Sequence, residues 1–354
     1  MRIVLAGGGT AGSVMPLIAI AHELKQRDPG AEFLFIGSRQ QQPERSLAGH
    51  YGLPYQPVYA GKLRRYVDVR NLTDFFVTVV GFFQSMGIMY RFRPDVIIGA
   101  GSYVQVPVMW AGWMYGATIC IHQQDVQTSL SNIMVLNLAA SISVSFPASL
   151  ERFPSGKTQW TGNPVRPDLL EGRAEKARDR FGLSTDIPCI LVIGGGTGAV
   201  SLNNIVQQTL PHLLESYQVV HITGKGKAVA GAQHPRYHQY EFVDAGMPDL
   251  LAAADIIVSR SGMSAISEYA ALGKVVILVP LPDSHQEKNA VYVAEKLAAI
   301  VIAQKDLSPS RLADTIRTVL ADDVRRQQLS QHMRALMKPN ATQVIVDQIM
   351  QKIS

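Results

Sequence analysis

The chain has 354 residues, of which 47% are hydrophobic and 17% charged. At roughly 100–200 residues per domain this gives two domains with real cores and excludes a disordered chain or a coiled coil. The net charge of +5 favours anionic partners such as phosphates or an acidic membrane face, and two cysteines are too few for a disulfide framework or a thiolate zinc site.

Short β-branched runs alternate with helical patterns, the grammar of parallel βαβ units. Met1 and Arg2 lead straight into a strand over 2–6, so no signal peptide is expected. A glycine turn at 7–12 and a helix over 16–27 follow, then a strand over 33–36. Strands over 95–98, 118–122 and 141–146 come next, with a helix over 106–115. The pattern restarts with a strand over 187–193, a second glycine turn at 194–198 and a helix over 201–215. Further strands are expected near 219–223, 241–243, 256–259 and 275–280, with helices over 247–253, 264–272 and 286–298.

The uncharged stretches 96–121 and 126–150 are long enough to raise a membrane span, but Gly, Ser, Gln, Asn and Pro break each into strand, loop and helix. Cys120 and Cys189 fall in apolar strand-like runs and read as buried thiols. Pro164 and Pro167 forbid a continuous helix between the halves. The fold class is therefore α/β, with two Rossmann-like domains, 1–163 and 164–340, whose parallel sheets face an interdomain cleft. The amphipathic tail 341–354 reads as a last helix packing across the domain junction.

The first turn, Gly7-Gly8-Gly9-Thr10-Ala11-Gly12, formally matches GxGxxG between a strand and a helix. A nicotinamide fingerprint also needs a carboxylate at the end of the second strand, where this chain has Gly37-Ser38. What survives is an anion cradle, with backbone N–H groups at a helix start and glycine allowing close approach. The turn at 194–198 has the same placement, and Gly99-Ala100-Gly101-Ser102-Tyr103 follows a third strand. A tight structural turn explains any one of these. Three of them, at strand ends in both halves, point to one or two ligands carrying a diphosphate.

The stretch 255–290 is the most informative. Arg260-Ser261-Gly262-Met263-Ser264 opens a helix bearing Glu268, which again sets N–H donors at a helix start. Glu268 can accept from a pair of sugar hydroxyls or stand as a solvated helix carboxylate. Arg260 can face a phosphate or serve the fold. The loop 280–290 delivers His285 and Gln286 to a strand's carboxyl edge.

Taken together, 7–16, 99–107, 122–125, 162–166, 194–199, 260–268 and 285–290 resemble, in order, the undecaprenyldiphospho-muramoylpentapeptide β-N-acetylglucosaminyltransferases of GT-B glycosyltransferase family 28. The resemblance implies an inverting enzyme that moves N-acetylglucosamine from UDP-N-acetylglucosamine to lipid I, giving lipid II for peptidoglycan. It implies that Met263, Ser264, Ala265, Ile266 and Ser267 face the diphosphate or uridine, and that Glu268 holds the ribose hydroxyls. Gln286 with His285 would read the sugar, Val243 would lie against the uracil, and Gly196 with Thr197 would approach the phosphates. Arg166 would reach the donor from the linker. Thr10, Ala11 and Gly12 would cradle the acceptor diphosphate close to the donor sugar, and Gly99, Gly101, Ser102 and Tyr103 would hold the acceptor with His122 and Asp125.

Two departures matter. The family reads GGTGGH in the first turn, whereas this chain has Ser13 in place of the histidine. That histidine is a favoured base, a role a serine cannot take near pH 7. The family's HEQN is here His122-Gln123-Gln124-Asp125, so a carboxylate moves from the second position to the fourth. The catalytic candidates are thus Asp125, as a replacement base or a plain hydrogen-bonding group, together with Ser13 and Glu268.

No Asp-x-Asp cluster stands at a strand end, so helix dipoles with Arg166 or Arg260 are expected to stabilise the leaving diphosphate, with no metal and no cofactor. The segment Lys62-Leu63-Arg64-Arg65-Tyr66, the apolar run 75–83 and Tyr90-Arg91-Phe92-Arg93 suit an interface helix on an anionic leaflet or a core helix with a basic cap. The expected location is peripheral, on the cytoplasmic face of the cell membrane, with no nucleic-acid partner. The alternatives are a related GT-B enzyme with another nucleotide sugar or lipid acceptor, and a non-catalytic UDP-sugar-binding protein.

Overall fold

A computed structural model describes residues 1–39, 42–64, 68–195, 198–229, 233–243 and 245–353, without the side chains of residues 11, 42 and 43. The chain divides into two compact units, an N-terminal one of 1–166 with 338–354 and a C-terminal one of 167–337. The division falls after Arg166, three residues beyond the expected 163, and the chain crosses back at Lys338.

In the N-terminal unit the strands are β1 (Arg2–Ala6), β2 (Glu32–Ser38), β3 (Tyr55–Val58), β4 (Val96–Gly99), β5 (Thr118–Gln123), β6 (Ser141–Val144) and β7 (Thr158–Trp160). They pair in parallel in the order β3-β2-β1-β4-β5-β6-β7. The connecting helices are α1 (Ala11–Arg27), α2 (Gln42–His50), α3 (Arg70–Phe92), α4 (Gln105–Met114) and α5 (Leu130–Val135). Both faces of the sheet are covered, so the central strands are apolar on both sides. Ile3, Leu5 and Val96 pack with Leu17 and Leu24 of α1, while Val4, Ala6 and Ile97 pack with Val106 and Met109 of α4.

The C-terminal unit repeats the plan. Its strands are β8 (Cys189–Ile193), β9 (Gln218–Ile222), β10 (Tyr237–Tyr240), β11 (Ile256–Ser259), β12 (Val276–Leu278) and β13 (Ile300–Val301), in the order β10-β9-β8-β11-β12-β13 and all parallel. The helices are α6 (Ala174–Phe181), α7 (Val200–Leu213), α8 (Met247–Ala253), α9 (Met263–Leu272), α10 (His285–Glu295), α11 (Pro309–Ala321) and α12 (Asp323–Ala335). After the return, α13 (Ala341–Ile353) buries Ile345, Val346 and Ile349 in the core that contains α1. Lys338 fixes the re-entry, donating to the Trp160 carbonyl at 2.9 Å with its ammonium 4.1 Å from the Trp160 ring centre.

Strand order reverses between β1 and β4 in one unit and between β8 and β11 in the other. Ligands of doubly wound sheets bind beyond the carboxyl ends at such a reversal. The turn at 7–10 follows β1, the turn at 99–103 follows β4, 194–199 follows β8 and 260–262 follows β11. Each unit thus sets two of the four turns at its own switch point.

Two expectations move, and one helix is longer than its apolar run. The first helix begins at Ala11 rather than 16 and carries Pro16 inside it, because burial of Val14 and Leu17 outweighs proline's local preference. The strand expected at 241–243 lies at Tyr237–Tyr240, a half-polar run that suits its edge position. The apolar run after the basic segment belongs to α3, which has 23 residues and by length and composition alone could cross a membrane. It touches its unit through Thr78 and Gln84, which accept from the Gly61 and Tyr59 amides at 3.1 and 2.9 Å.

Candidate active site

At the N-terminal switch point the first two turns are tied to each other. The Gly8 carbonyl accepts the Ser13 hydroxyl at 3.0 Å and the Ser102 hydroxyl at 2.8 Å. Gly9 has φ +89, and a Cβ there would stand 2.7 Å from the Tyr103 ring, so only glycine fits. Ser13 therefore clamps the turn, with its hydroxyl donating to the main chain. Thr10 is exposed at the start of α1 and makes no cap bond, and Gly12 is partly exposed behind it. Ala11 begins α1, with its side chain outside the described atoms.

A residue the sequence does not advertise lies beneath this turn. Glu44 is fully buried, and its Oε1 accepts the Ser38 amide at 3.1 Å, the Gly9 amide at 3.3 Å and the Ser38 hydroxyl. The second strand does end on a carboxylate after all, supplied from six residues downstream. It faces inward, which leaves it no access to a ribose.

Gly99 closes β4 and is buried, while Gly101 and Tyr103 line a cavity of about 180 Å³ with Lys62, Thr78, Ser129 and Ser131. Burial raises the Tyr103 phenol above its ordinary pKa, so it stays a neutral donor. Lys62 is exposed and supplies a cation beside these turns, a placement that its membership of a basic run does not reveal. Asp125 is partly exposed on the turn after β5.

His122 is different from the expectation. It is 1% exposed, its Nε2 meets Asn163 Oδ1 at 2.7 Å, and its Nδ1 meets Ser143 Oγ at 2.8 Å. Nε2 must therefore carry the proton, since Asn163 Oδ1 only accepts. Burial takes its pKa down to about 4, so the ring is neutral. His122 supports the turn from below and does not reach an acceptor.

In the C-terminal unit, Gly194 and Gly195 leave β8, while Gly196 and Thr197 lie outside the described residues. Gly198 has φ +70, and a Cβ there would stand 2.3 Å from the Thr223 carbonyl, which keeps this turn tight against β9. The loop after β11 is held by Ser261, whose hydroxyl donates to the Gln286 carbonyl at 2.8 Å, and by Asn289, which donates to the Ser261 carbonyl at 3.2 Å. These bonds bring the starts of α9 and α10 together.

On α9 the Ile266 side chain is fully buried and its amide already bonds Gly262. Met263 and Ser267 are also buried, and the Ser267 hydroxyl returns to the Met263 carbonyl at 2.8 Å. The side chains of these three are thus turned into the unit. Ser264, Ala265 and Glu268 are partly exposed, so the first turn offers its main chain and these small or acidic groups. His285 is exposed, and Gln286 accepts the Leu281 amide on Oε1 at 3.2 Å.

Arg260 serves the fold. Its Nη1 donates to the Val279 and Pro280 carbonyls, both at 3.1 Å, and its Nη2 to Ser201 Oγ at 2.9 Å and Gln304 Oε1 at 2.7 Å. Burial pulls this guanidinium below its ordinary pKa. Arg166 is partly exposed at the end of the N-terminal unit. Val243 is partly exposed, and the neighbouring Phe242 is 47% exposed with the Lys225 ammonium 4.9 Å from its ring centre.

Comparison with known proteins covers both units. The glycosyltransferase family 28 N-terminal domain matches residues 3–144 and its C-terminal domain residues 189–349. A UDP-N-acetylglucosamine–N-acetylmuramyl-(pentapeptide) pyrophosphoryl-undecaprenol N-acetylglucosamine transferase from Lachnospira eligens is 38% identical, with 91% of each chain covered. A Bacillus cereus transferase of the same name, numbered 2, is 34% identical over 100% of this chain and 99% of its own. Among solved structures, Acinetobacter baumannii MurG aligns with a TM-score of 0.72 at 24% identity, with 99% of each chain covered. A UDP-GlcNAc 2-epimerase from Neisseria meningitidis, bound to UDP-GlcNAc, aligns at 0.75 and 12% identity over 99% of this chain and 100% of its own. At these identities the solved structures establish the fold alone.

Proposed function

Because the chain belongs to glycosyltransferase family 28, we infer that it transfers N-acetylglucosamine from UDP-N-acetylglucosamine to lipid I, giving lipid II. The observation that carries this reading is the end-to-end match to transferases of that name. The paired turns at both switch points supply the physical reason, since two diphosphates need two sets of main-chain donors at strand ends.

The C-terminal unit holds the donor. The amides at the start of α9 and in the turn after β8 meet the diphosphate, Glu268 takes the ribose hydroxyls, and Val243 with Phe242 lies against the base. Gln286 and His285 read the sugar, and Arg166 contacts the donor. In the N-terminal unit, Thr10, Gly12, Ser102 and Tyr103, with Lys62, meet the acceptor diphosphate, and Gly101 lines the cavity beside them with its own amide held by Gln105. Asp125 takes the proton from the acceptor hydroxyl as its oxygen attacks the anomeric carbon, the bond to UDP breaks, and the configuration inverts. The donor amides receive the charge that develops on UDP.

A lipid acceptor requires contact with a membrane surface. Leu72, Phe75, Phe76, Val80 and Phe83 of α3 are each at least 49% exposed, with Lys62, Arg91 and Arg93 exposed nearby in sequence. This face suits a peripheral seat on the cytoplasmic leaflet. The basic segment is weaker than its composition suggests, because Arg64 pairs with Asp74 and Arg70 with Asp68, which Arg70 holds down at about 2. Arg65 and Tyr66 lie outside the described residues.

The test is UDP release. It is expected from UDP-N-acetylglucosamine only when lipid I is supplied. Release with a different nucleotide sugar, and not with this one, would transfer the reading to a related enzyme, which the Ser13 and Asp125 departures would then explain. Donor binding with no turnover on any polyprenyl diphosphosugar would leave only a binding protein.

A further inference from the structure

Beneath the acceptor turns runs a row of three buried amide side chains, each at most 1% exposed: Gln105 on the first turn of α4, Asn132 on α5 and Gln123 at the end of β5. The Gly101 amide donates to Gln105 Oε1 at 2.9 Å, and Gln105 Nε2 donates to Asn132 Oδ1 at 2.6 Å. Asn132 Nδ2 then donates to Gln123 Oε1 at 2.8 Å and to the His122 carbonyl at 3.1 Å. Gln123 Nε2 ends the row on the carbonyls of Asp125 at 2.8 Å and Gln127 at 3.0 Å. Every link points the same way. Turning Asn132 or Gln123 over would set oxygen against oxygen, so the row has one direction from Gly101 to Asp125.

A middle link must accept at one end and donate at the other. An amide does both, whereas an ionised carboxylate of the same shape only accepts. Gln123 uses its whole capacity, because its Oε1 also accepts the Ser129 amide at 3.1 Å. A glutamate there, as in the resembled pattern, would push a charged oxygen against two carbonyls. This chain keeps an amide at 123 and carries its carboxylate two residues on.

We propose that the Gln105–Asn132–Gln123 row is a positioning device that couples the Gly99–Tyr103 turn to the Asp125 turn, so that acceptor and base are aligned by one rigid link. The proposal rests on the reading of Asp125 as base. Head-to-tail amides polarise one another, and because the row joins the two turns by direct bonds through buried groups, it transmits a shift at one end to the other. Its residues touch no substrate. They act through the turns they hold.

The decisive variant is Gln123→Glu, assayed with UDP-N-acetylglucosamine and lipid I of shortened prenyl chain. At pH 7.5 kcat should fall about tenfold to a hundredfold, the scale of an ångström-level misplacement. The acceptor KM should rise while the donor KM stays within about twofold, and lowering the pH towards 5 should restore part of kcat relative to wild type. Protonation returns one donor to the side chain, which a packing defect would not mimic. In an Asp125→Asn background, Gln123→Glu should cost less than about twofold more in kcat, because the group it places is already gone.

Wild-type kcat and acceptor KM in Gln123→Glu, or fully multiplicative losses in the double variant, would overturn the row. If Asp125→Asn alone keeps its turnover, the base assignment fails, and the acceptor KM and pH recovery of Gln123→Glu still decide the coupling. Should that variant not fold, Gln105→Met interrupts the row without adding charge. A raised acceptor KM at constant donor KM is expected there, and no change would refute the link.

Discussion

At the carboxyl edge of the N-terminal sheet one carboxylate, Glu44, sits under the first turn, and the other ties are neutral: the hydroxyls of Ser13 and Ser102 on Gly8, the row of buried amides, and a neutral His122. At the corresponding edge of the C-terminal sheet the ties gather round one cation, Arg260, whose guanidinium holds the ends of β12, α7 and the segment at Gln304 together. Neutral networks fail when one member loses a donor, because every donor and acceptor in them is already committed. A buried guanidinium fails when it is removed, because several acceptors lose their partner at once. The acceptor end should thus be sensitive to isosteric changes of charge and the donor end to loss of one side chain.

The largest effect is expected for Asp125→Asn. A general base contributes about 10²- to 10⁴-fold, so kcat should drop by that order with the donor KM preserved in steady-state kinetics. Near-normal turnover would return Asp125 to a simple hydrogen-bonding role and remove the chemical reason for rigidity at the acceptor end.

Arg260→Met comes next. It leaves the Val279 and Pro280 carbonyls without their donor and should destabilise the C-terminal unit by about 3 kcal/mol in urea titration, with weaker UDP-N-acetylglucosamine binding. A loss below about 1 kcal/mol would show that the cation is not the clamp.

Acid probes both units in one titration. His122 in the N-terminal unit and His221 in the C-terminal unit are each held near 4 by burial, with His221 between Tyr237 Oη at 3.0 Å and Asn203 Oδ1 at 3.1 Å. These values lie below the ordinary 6.5, so the unfolded chain takes up the extra protons as pH falls from 6.5 to 4. Stability should be fully present above 6.5 and fall through that window by about 3 kcal/mol per histidine. Urea midpoints at pH 7 and pH 4.5 measure it, and His122→Gln should remove only the N-terminal share of the slope.

The smallest effect belongs to Ser13→Ala. Loss of one hydroxyl donor to Gly8 should cost about 1 kcal/mol of stability and leave kcat within about threefold. A thousandfold loss of kcat would put Ser13 back in the chemistry.

The central strands are legible in the sequence because a strand buried on both faces is written as a continuous apolar run, as Ile3–Ala6 and Ile256–Val258 are. The strands missed or displaced, β3, β7, β10 and β13, are the four sheet edges, where one side is unpaired and polar residues such as Gln56, Gln159 and His238 are tolerated. The glycine turns were legible as well, since a strand, glycines and a helix start are contiguous in sequence. The place of His122 is not legible, because a histidine near the end of a strand looks the same whether its ring meets a ligand or Asn163 forty-one residues away.

By itself the sequence determined the two parallel sheets, the four turns at their carboxyl ends and the family, because each is written in local periodicity or contiguous motif. Only the tertiary structure decided that Glu44 sits beneath the first turn, that Arg260 is a clamp, that α13 belongs with α1, and that Gly101 and Asp125 are joined through Gln105, Asn132 and Gln123. Those are pairings between distant residues, set by which side chains burial forces to find a hydrogen-bond partner, and no local pattern encodes them.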